Sequence, residues 1–301
     1  ELHCGKNELT SLDVSNNTAL TSLGAQRNSF TSLDVSNNTS LESLDCHNNA
    51  IDSLNVSNNT ALNLLWCSEN ALASLDVSAN TALTDLRCAN NDLTILNLSN
   101  NTALGILYCY NNALTALDVS QNTSLAFFGT ENNNITSLDV SANTALEELR
   151  CQNNQLTYLN MRNGVTDSLT TFYATSNPDL TCIETLDLDY ATANWTNANG
   201  NIDEGVTFSV ICGAEEQDVW HIATTGSDGS GNGTEESPFA TIQMGINVAG
   251  DGNMVYVAEG TYMENINFNK KNIAVISEQG SELTTIDGME SGSVAIMDST
   301  S

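Results

Sequence analysis

Basic side chains are scarce in this sequence: 7 Lys and Arg face 37 Asp and Glu in 301 residues, a formal net charge of -30. Such a surface repels phosphate backbones and anionic headgroups, which argues against nucleic acid as a partner, while the charge keeps a long chain soluble. Long apolar runs are lacking too. With no stretch of about 18 apolar residues, nothing reads as a helix for membrane insertion. Histidine occurs only as His3, His47 and His221, in unlike settings and with no nucleophile in a recognisable motif beside any of them. No catalytic set, metal set or cofactor is expected from them. Nor does a leader segment stand at the start. Glu1-Leu2-His3-Cys4-Gly5-Lys6-Asn7 aligns with Leu23 to Asn28 further on, so the chain reads as a fragment that begins inside a repeat.

What is abundant is one phrase. Leu12-Asp13-Val14-Ser15-Asn16-Asn17-Thr18-Ala19-Leu20-Thr21-Ser22-Leu23 returns with small changes from residues 33, 54, 75, 96, 117 and 138, a period of 21. A unit this short cannot bury its apolar side alone, so the units must stack as a solenoid around one shared core. Leu at 12, 33, 54, 75, 96, 117, 138 and 159, with Val, Leu or Met two places later, has the period-two alternation of a strand. Asn at 17, 38, 59, 80, 101, 122 and 143 can bond the backbone of its turn and the Asn of the neighbouring unit, forming a ladder. The second half of each unit repeats the plan, as in Leu41-x-x-Leu44-x-Cys46-x-x-Asn49. Two short parallel strands per unit are therefore expected.

Cys4, Cys46, Cys67, Cys88, Cys109 and Cys151 occupy one repeat position, which Ala25 and Thr130 fill in other units. Equivalent side chains in a parallel stack lie roughly 4.8 Å apart, against roughly 3.8 Å between the β-carbons of a disulfide, and Ala and Thr hold no metal. A ladder of buried free thiols, acting as small apolar side chains, follows.

The outward positions of the two halves differ. In the first half they make a polar row, Ser11-Asp13-Ser15, Ser32-Asp34-Ser36, Ser53-Asn55-Ser57 and Ser74-Asp76-Ser78, which reads as structural. Calcium along that row would find too few oxygens without help from the backbone. In the second half they change from unit to unit and include Leu64, Trp66, Arg87, Ile106, Tyr108, Tyr110, Phe127, Arg150 and Tyr173. Aromatics and arginines on an exposed strand face have the composition of binding hot spots, and flat rings also suit sugars. These nine residues are the candidate binding face.

The alternation of LxxLxCxxN with LxxLDVSxN across residues 1–181 resembles the cysteine-containing 21-residue leucine-rich repeats of internalin-like bacterial surface proteins. The resemblance implies an all-β repeat solenoid, curved and right-handed, without helices on its convex side. Two extra residues between Leu146 and Leu169 disturb the last unit. After Asn177-Pro178-Asp179-Leu180 the period is lost, and Cys182 and Cys212 bracket Trp195 and Phe208. A terminal coil needs its apolar end and open strand edge covered, which a loop-rich segment closed by a disulfide would do. The stretch looks like the closing segment that follows such repeats in secreted bacterial proteins. A C-terminal cap over 182–217 with a Cys182–Cys212 bridge is implied, two further buried thiols being the alternative. Glu215-Glu216-Gln217 then form a short acidic link.

A different grammar begins near residue 218. Ser237-Pro238 reads as an N-cap and first helical position, with Phe239, Ile242, Ile246 and Ala249 on one face before Gly250-Asp251-Gly252. Short strands are expected at 254–257, 266–268, 273–276, 285–286 and 294–297. Asp228-Gly229-Ser230-Gly231-Asn232-Gly233 begins like a calcium loop but carries Phe239 where the last ligand would stand, and reads as a flexible turn. The run from Gly226-Ser227-Asp228-Gly229 through Ser237-Pro238-Phe239-Ala240-Thr241-Ile242-Gln243 to Glu259-Gly260-Thr261-Tyr262 is similar to the opening of right-handed parallel β-helix proteins of the pectate-lyase-like superfamily. That resemblance implies the N-terminal coils of such a helix over 218–301, with no catalytic residue carried over.

Two functions remain. One is a non-catalytic protein- or glycan-binding module of a secreted or cell-surface bacterial protein, a monomeric part of a larger chain. The other is the substrate-binding part of a polysaccharide lyase or hydrolase whose catalytic coils lie beyond residue 301.

Overall fold

The computed structural model describes residues 1–213, 217–289 and 292–297; Glu215 and Glu216 of the acidic link fall outside them. Two compact units result, residues 1–183 with 187–208, and residues 184–186 with 209–301.

In the first unit, nine short strands form one parallel sheet in chain order: β1 (Leu2–His3), β2 (Ser22–Gly24), β3 (Ser43–Asp45), β4 (Leu64–Trp66), β5 (Asp85–Arg87), β6 (Ile106–Tyr108), β7 (Phe127–Gly129), β9 (Glu148–Arg150) and β11 (Thr171–Tyr173). The central residue of each full-length strand points into the core, as do Leu44, Leu65, Leu86, Leu107 and Leu149, all fully buried, and the flanking residues point out. The two extra residues of the last unit are absorbed in the turn at Gly164, whose φ of 75° is left-handed, so β11 returns to register with Phe172 opposite Leu149.

The first-half strands are mostly missing. Only β8 (Ser137–Asp139) and β10 (Tyr158–Asn160) pair there, in a sheet continued by β12 (Cys182–Glu184) and β13 (Thr207–Ser209). The alternation of burial is present in the other units, where the same stretch is held by local turn bonds. Ser15 N–H donates to Asp13 Oδ1 at 2.9 Å and Asn17 N–H to the Val14 carbonyl at 2.9 Å, and the Ser36/Asp34 and Ser78/Asp76 pairs repeat the first bond. The paired strands β8 and β10 keep the same bond, Ser141 N–H to Asp139 Oδ1 at 2.8 Å and Arg162 N–H to Asn160 Oδ1 at 3.0 Å, so it shapes the turn in every coil without deciding the pairing. Asn55 and Asn97 serve as well as aspartate, accepting from Ser57 and Ser99 at 3.0 Å. Turn chemistry therefore explains the sameness of the polar row.

Two asparagine ladders bind coil to coil. Asn38, Asn59, Asn80, Asn101, Asn122 and Asn143 are fully buried. Each donates its side-chain amide to two backbone carbonyls of the preceding coil; Asn101 reaches Val77 O at 3.1 Å and Asn80 O at 2.9 Å. The second ladder runs through Asn28, Asn49, Asn70, Asn91, Asn112, Asn133, Asn154 and Asn177. Asn91 gives Nδ2 to Cys67 O and Cys88 O, both at 3.1 Å, and takes the Leu72 N–H on Oδ1 at 3.0 Å. Just before this asparagine, each coil holds a left-handed residue with φ between 52° and 59°, from Lys6 and Arg27 through to Ser176. Sequence reasoning missed that position because its side chains vary, although asparagine, which tolerates this conformation, fills five of the nine.

The thiol ladder is present. Cys46, Cys67, Cys88, Cys109 and Cys151 are free and buried, Cys4 at the first coil is partly covered, and Ala25 and Thr130 fill their positions fully buried. Burial pushes the thiols of Cys67 and Cys109 up to about 12, so they stay protonated at neutral pH.

Cys182 and Cys212 form the disulfide. The cap contains one helix, α1 (Leu188–Asn194), whose N-cap Asp187 accepts the Tyr190 N–H at 2.9 Å. Trp195, 4% exposed, lies over Phe172 of the last coil with ring centroids 4.3 Å apart, and against Tyr190 and Phe208. Ala174 N–H donates to Asn201 O at 2.7 Å and Asn201 Nδ2 to Phe172 O at 2.9 Å, so the open edge of β11 is paired. Asp203 takes the amides of Ser176 and Asn177. The cap thus covers both the apolar end and the strand edge.

The second unit winds three parallel sheets: β14 (Val219–Ile222), β15 (Met254–Val257) and β18 (Ala274–Ser277); β16 (Gly260–Tyr262) and β19 (Thr284–Ile286); and β17 (Ile266–Asn267) and β20 (Ala295–Ile296). Each successive strand from β15 to β17 enters a different sheet, and β18 to β20 repeat the circuit. Strand β16 was not expected, since Gly260-Thr261-Tyr262 resembles a turn more than a strand.

Helix α2 (Ile242–Val248) is capped by Thr241 rather than Ser237. The expected start fails because Phe239 is extended, bridging Ile222, with its N–H on His221 O at 3.0 Å. Asp228 accepts Ala240 N–H, Thr241 N–H and the Thr241 hydroxyl, so its loop anchors the helix start. Glu264 takes the Ile242 and Gln243 amides, and Lys271 Nζ donates to the carbonyls of Ile246, Asn247 and Ala249. Opposite charges from the next coil thereby satisfy opposite ends of one helix.

Asn101→Ala should destabilise the repeat unit by about 1–3 kcal/mol, because two buried hydrogen bonds to the preceding coil are lost; chemical denaturation measures it. Cys88→Ser should also cost on the order of 1–3 kcal/mol by placing a hydroxyl among apolar neighbours. Thiol reagents should label Cys67 and Cys88 only after unfolding, and rapid labelling of the folded chain would contradict the burial described.

Candidate functional site

The outward residues of the nine-stranded sheet stand in rows set by its register. One row runs through Leu64, Asp85, Ile106, Phe127 and Glu148, and the other through Asp45, Trp66, Arg87, Tyr108, Gly129, Arg150 and Tyr173. Tyr110 lies beyond the end of β6. All nine candidate residues therefore share one face, but only some are joined.

Arg87 is the centre of the joined group. Its guanidinium lies 4.3 Å from the Trp66 ring centroid and 5.6 Å from that of Tyr108. Asp85, on the same side of β5, holds it with Nε–Oδ1 and Nη2–Oδ2 distances of 3.0 Å. A planar cation held by a carboxylate fork between aromatic rings has little freedom left. Tyr108 passes over Gly129 of the intervening strand and donates its hydroxyl to Glu148 Oε1 at 3.2 Å, and Glu148 also holds Arg150 at 3.2 Å. The path requires glycine: a β-carbon at 129 would sit 2.8 Å from Tyr108 Cδ1. Burial and then the Glu148 charge raise the Tyr108 phenol above its ordinary value.

Leu64, Ile106 and Phe127 are half-buried in the parallel row, and Tyr173, 39% exposed, stands at the cap end of the sheet. Asp85 and Glu148 were not among the candidates. Their signal is an acidic residue two places before an arginine on one strand face, spacing that puts both side chains on the same side. The polar row on the other half also holds a surprise in Ile95, 76% exposed at the position of Ser11, Ser32, Ser53, Ser74 and Ser137. Beside it lies a shallow hollow lined by Ser74, Asp76 and Asn97.

The histidines are turned to carboxylates: His47 Nδ1 lies 2.7 Å from Asp45, His221 Nδ1 3.3 Å from Glu278, and His3 Nε2 3.8 Å from Glu1. Among the described residues no three His, Cys, Asp or Glu side chains gather as a metal-holding cluster. No helix among them is long and apolar enough to cross a membrane.

Repeats bonded along one sheet, a buried thiol file and a disulfide-closed end define a leucine-rich-repeat solenoid with a cysteine ladder. No protein-family model and no curated protein matches the chain. Among solved structures it is similar to the functional domain of InlJ from Listeria monocytogenes, itself described as including a cysteine ladder, with 28% identity over 88% of this chain and a TM-score of 0.57. The chain spans 61% of that structure's length. It shares its fold with the PEPR1–AtPEP1 crystal structure at 20% identity and a TM-score of 0.54, over 66% of this chain and 30% of that one.

Glu131, next along the same face, provides a pH test. Burial raises its carboxyl above the ordinary value, more than its backbone hydrogen bond and Arg150 lower it, while Glu148 adds to the rise. Below the unfolded value the group is protonated in both states and costs nothing; as pH climbs through the raised folded value, stability is lost. Glu131→Gln should raise the melting temperature at pH 7 by about 1–2 °C and leave it unchanged near pH 3.5, as followed by circular dichroism.

Proposed function

We propose that this chain is a non-catalytic protein-binding module of a secreted or cell-surface protein, and that its ligand docks on the face of Leu64, Trp66, Arg87, Ile106, Tyr108, Tyr110, Phe127, Arg150 and Tyr173. The observation that carries the reading is the fixed Asp85–Arg87–Trp66–Tyr108–Glu148–Arg150 network, built on positions with no duty to the coil. Such side chains need no reordering on binding, which lowers the entropic cost. The Cys182–Cys212 disulfide supports an oxidising compartment, hence secretion or surface display.

A glycan is the weaker choice of ligand. Stacking on sugar needs an open ring face, and Arg87 occupies one face of Trp66. The second unit adds a different consideration. Its three parallel sheets, one strand of each per circuit, support the resemblance to a pectate-lyase-like β-helix. In a longer parent chain the repeats would then present a polysaccharide to later coils.

The test is a binding screen of proteins and glycans against the chain, followed by variants on any hit. Trp66→Ala and Tyr108→Ala should each cost about 2 kcal/mol or more of affinity, while Ser32→Ala and Ser74→Ala on the polar row cost almost none. Equal losses from both faces, or binding lost only on deleting 218–301, would move the function off this face.

A further inference from the structure

We propose that the polar row carries a second docking surface, centred on Ile95 and Asp76, which takes one arginine or lysine side chain of a protein partner. It lies on the first half of the coils and does not depend on the sheet face described above.

The coil itself does not account for Ile95. At 76% exposure the side chain adds nothing to the core, and Ser11, Ser32, Ser53, Ser74 and Ser137 serve at the same place. Between its coil and the one before lies a hollow of about 430 Å³, open to solvent and lined by Ser74, Leu75, Asp76, Ser78, Ile95 and Asn97. A second open hollow of about 440 Å³ lies one coil earlier, with Ser53, Leu54, Asn55 and Ser57 on one side and Ser74 and Asp76 on the other. Asp76 therefore stands on the edge of both, and a side chain from outside reaches it without displacing any packed group.

Asp76 is also the only carboxylate that lines either hollow, because Asn55 and Asn97 hold its position in the coils on each side. Hydrogen bonds from Ser78 hold its carboxyl below the ordinary range, so it is ionised at neutral pH. No Lys, Arg or His among the described residues pairs with it. Leu75 and Ile95 give the same hollow an apolar wall. A carboxylate and an apolar wall around one space suit a side chain with an apolar stem and a cationic tip. A wholly apolar side chain would strip water from the carboxylate without replacing its bonds, and an anion would be repelled. The net charge of -30 draws cations toward the surface. Asp13, Asp34 and Asp118 lack the apolar half of the arrangement, since Ser32, Ser53 and Ser137 stand where Asp76 has Ile95. Ser74→Ala takes one hydroxyl from the rim and leaves both groups in place, so it remains a control for the sheet face.

Two substitutions test the surface without disturbing the fold. Asp76→Asn keeps the turn, because Asn55 and Asn97 accept the same bond, and Ile95→Ser writes the residue that neighbouring coils carry. The 15N-labelled chain is titrated with acetyl-arginine-amide and, separately, with its neutral isostere acetyl-citrulline-amide. Saturable shifts centred on the amides of Asp76, Ile95 and Asn97 are expected with the arginine probe and not with citrulline. Each substitution should weaken that binding about three- to five-fold, whereas Asp34→Asn should leave it unchanged. Shifts shared evenly among Asp13, Asp34, Asp76 and Asp118 would reduce the effect to charge alone and overturn the proposal. Undiminished binding by either Asp76→Asn or Ile95→Ser would do the same.

Discussion

The hydrogen bond from a buried asparagine amide to the backbone of the coil before it is the constraint on which the repeat unit depends. Asn59, Asn80, Asn101 and Asn122 each bind two carbonyls of the coil before, which also accept a backbone amide within their own turn, so each rung fastens one turn to the next. A leucine there would fill the same space and bond neither carbonyl, so the coils would lose that link. The second asparagine file completes the arrangement by clamping the turn after each strand. Apolar packing then needs side chains of about the right size, and Ala25 and Thr130 stand fully buried in the thiol file beside the cysteines.

The repeat, the thiol file and the shared face were legible because each rests on a side-chain type recurring at one period. What escaped was decided by the backbone. Leu-Asp-Val alternates like a strand, yet of its copies the one at Leu138 pairs and those at Leu12 and Leu33 do not, although Asp13, Asp34 and Asp139 all take the amide two places on. The left-handed residue before each asparagine hid behind side chains as unlike as Arg27 and Glu69. Ser237-Pro238 satisfies a helix-start rule, but Asp228 and Glu264 supply the stronger anchors further on, and contacts from another coil cannot be read locally. The aromatic and basic members of the candidate site could be read as a composition. The carboxylates that hold them could not, since their role appears only once neighbouring strands fix which side chains meet.

The contrast between the two halves of each coil has a physical origin on both sides. Positions in the polar row are tied to a turn by Asp or Asn and Ser, so they vary little. Outward positions of the nine-stranded sheet carry no side-chain bond that every coil repeats; those present, such as Asp45–His47, Asp85–Arg87 and Glu148–Arg150, belong to single coils. Variation there is permitted by the fold, and the Arg87 network shows it being used for a rigid surface instead of being left to drift. Rigidity is itself informative, since cation, rings and carboxylates held in fixed relation resist rearrangement by a ligand.

Because every rung joins a residue to one 21 or 24 places earlier in the regular coils, the unit of architecture is also a unit of heredity. Loss or duplication of a whole 21-residue segment of the gene would reconnect each asparagine, leucine and cysteine file with no residue out of place. The molecule would shorten or lengthen by one strand spacing, roughly 4.8 Å. Its sheet face would lose or gain one row of letters while the remaining rows kept their spelling. Reach and recognition can therefore evolve by recombination, at little risk to folding, faster than point substitution alone would allow.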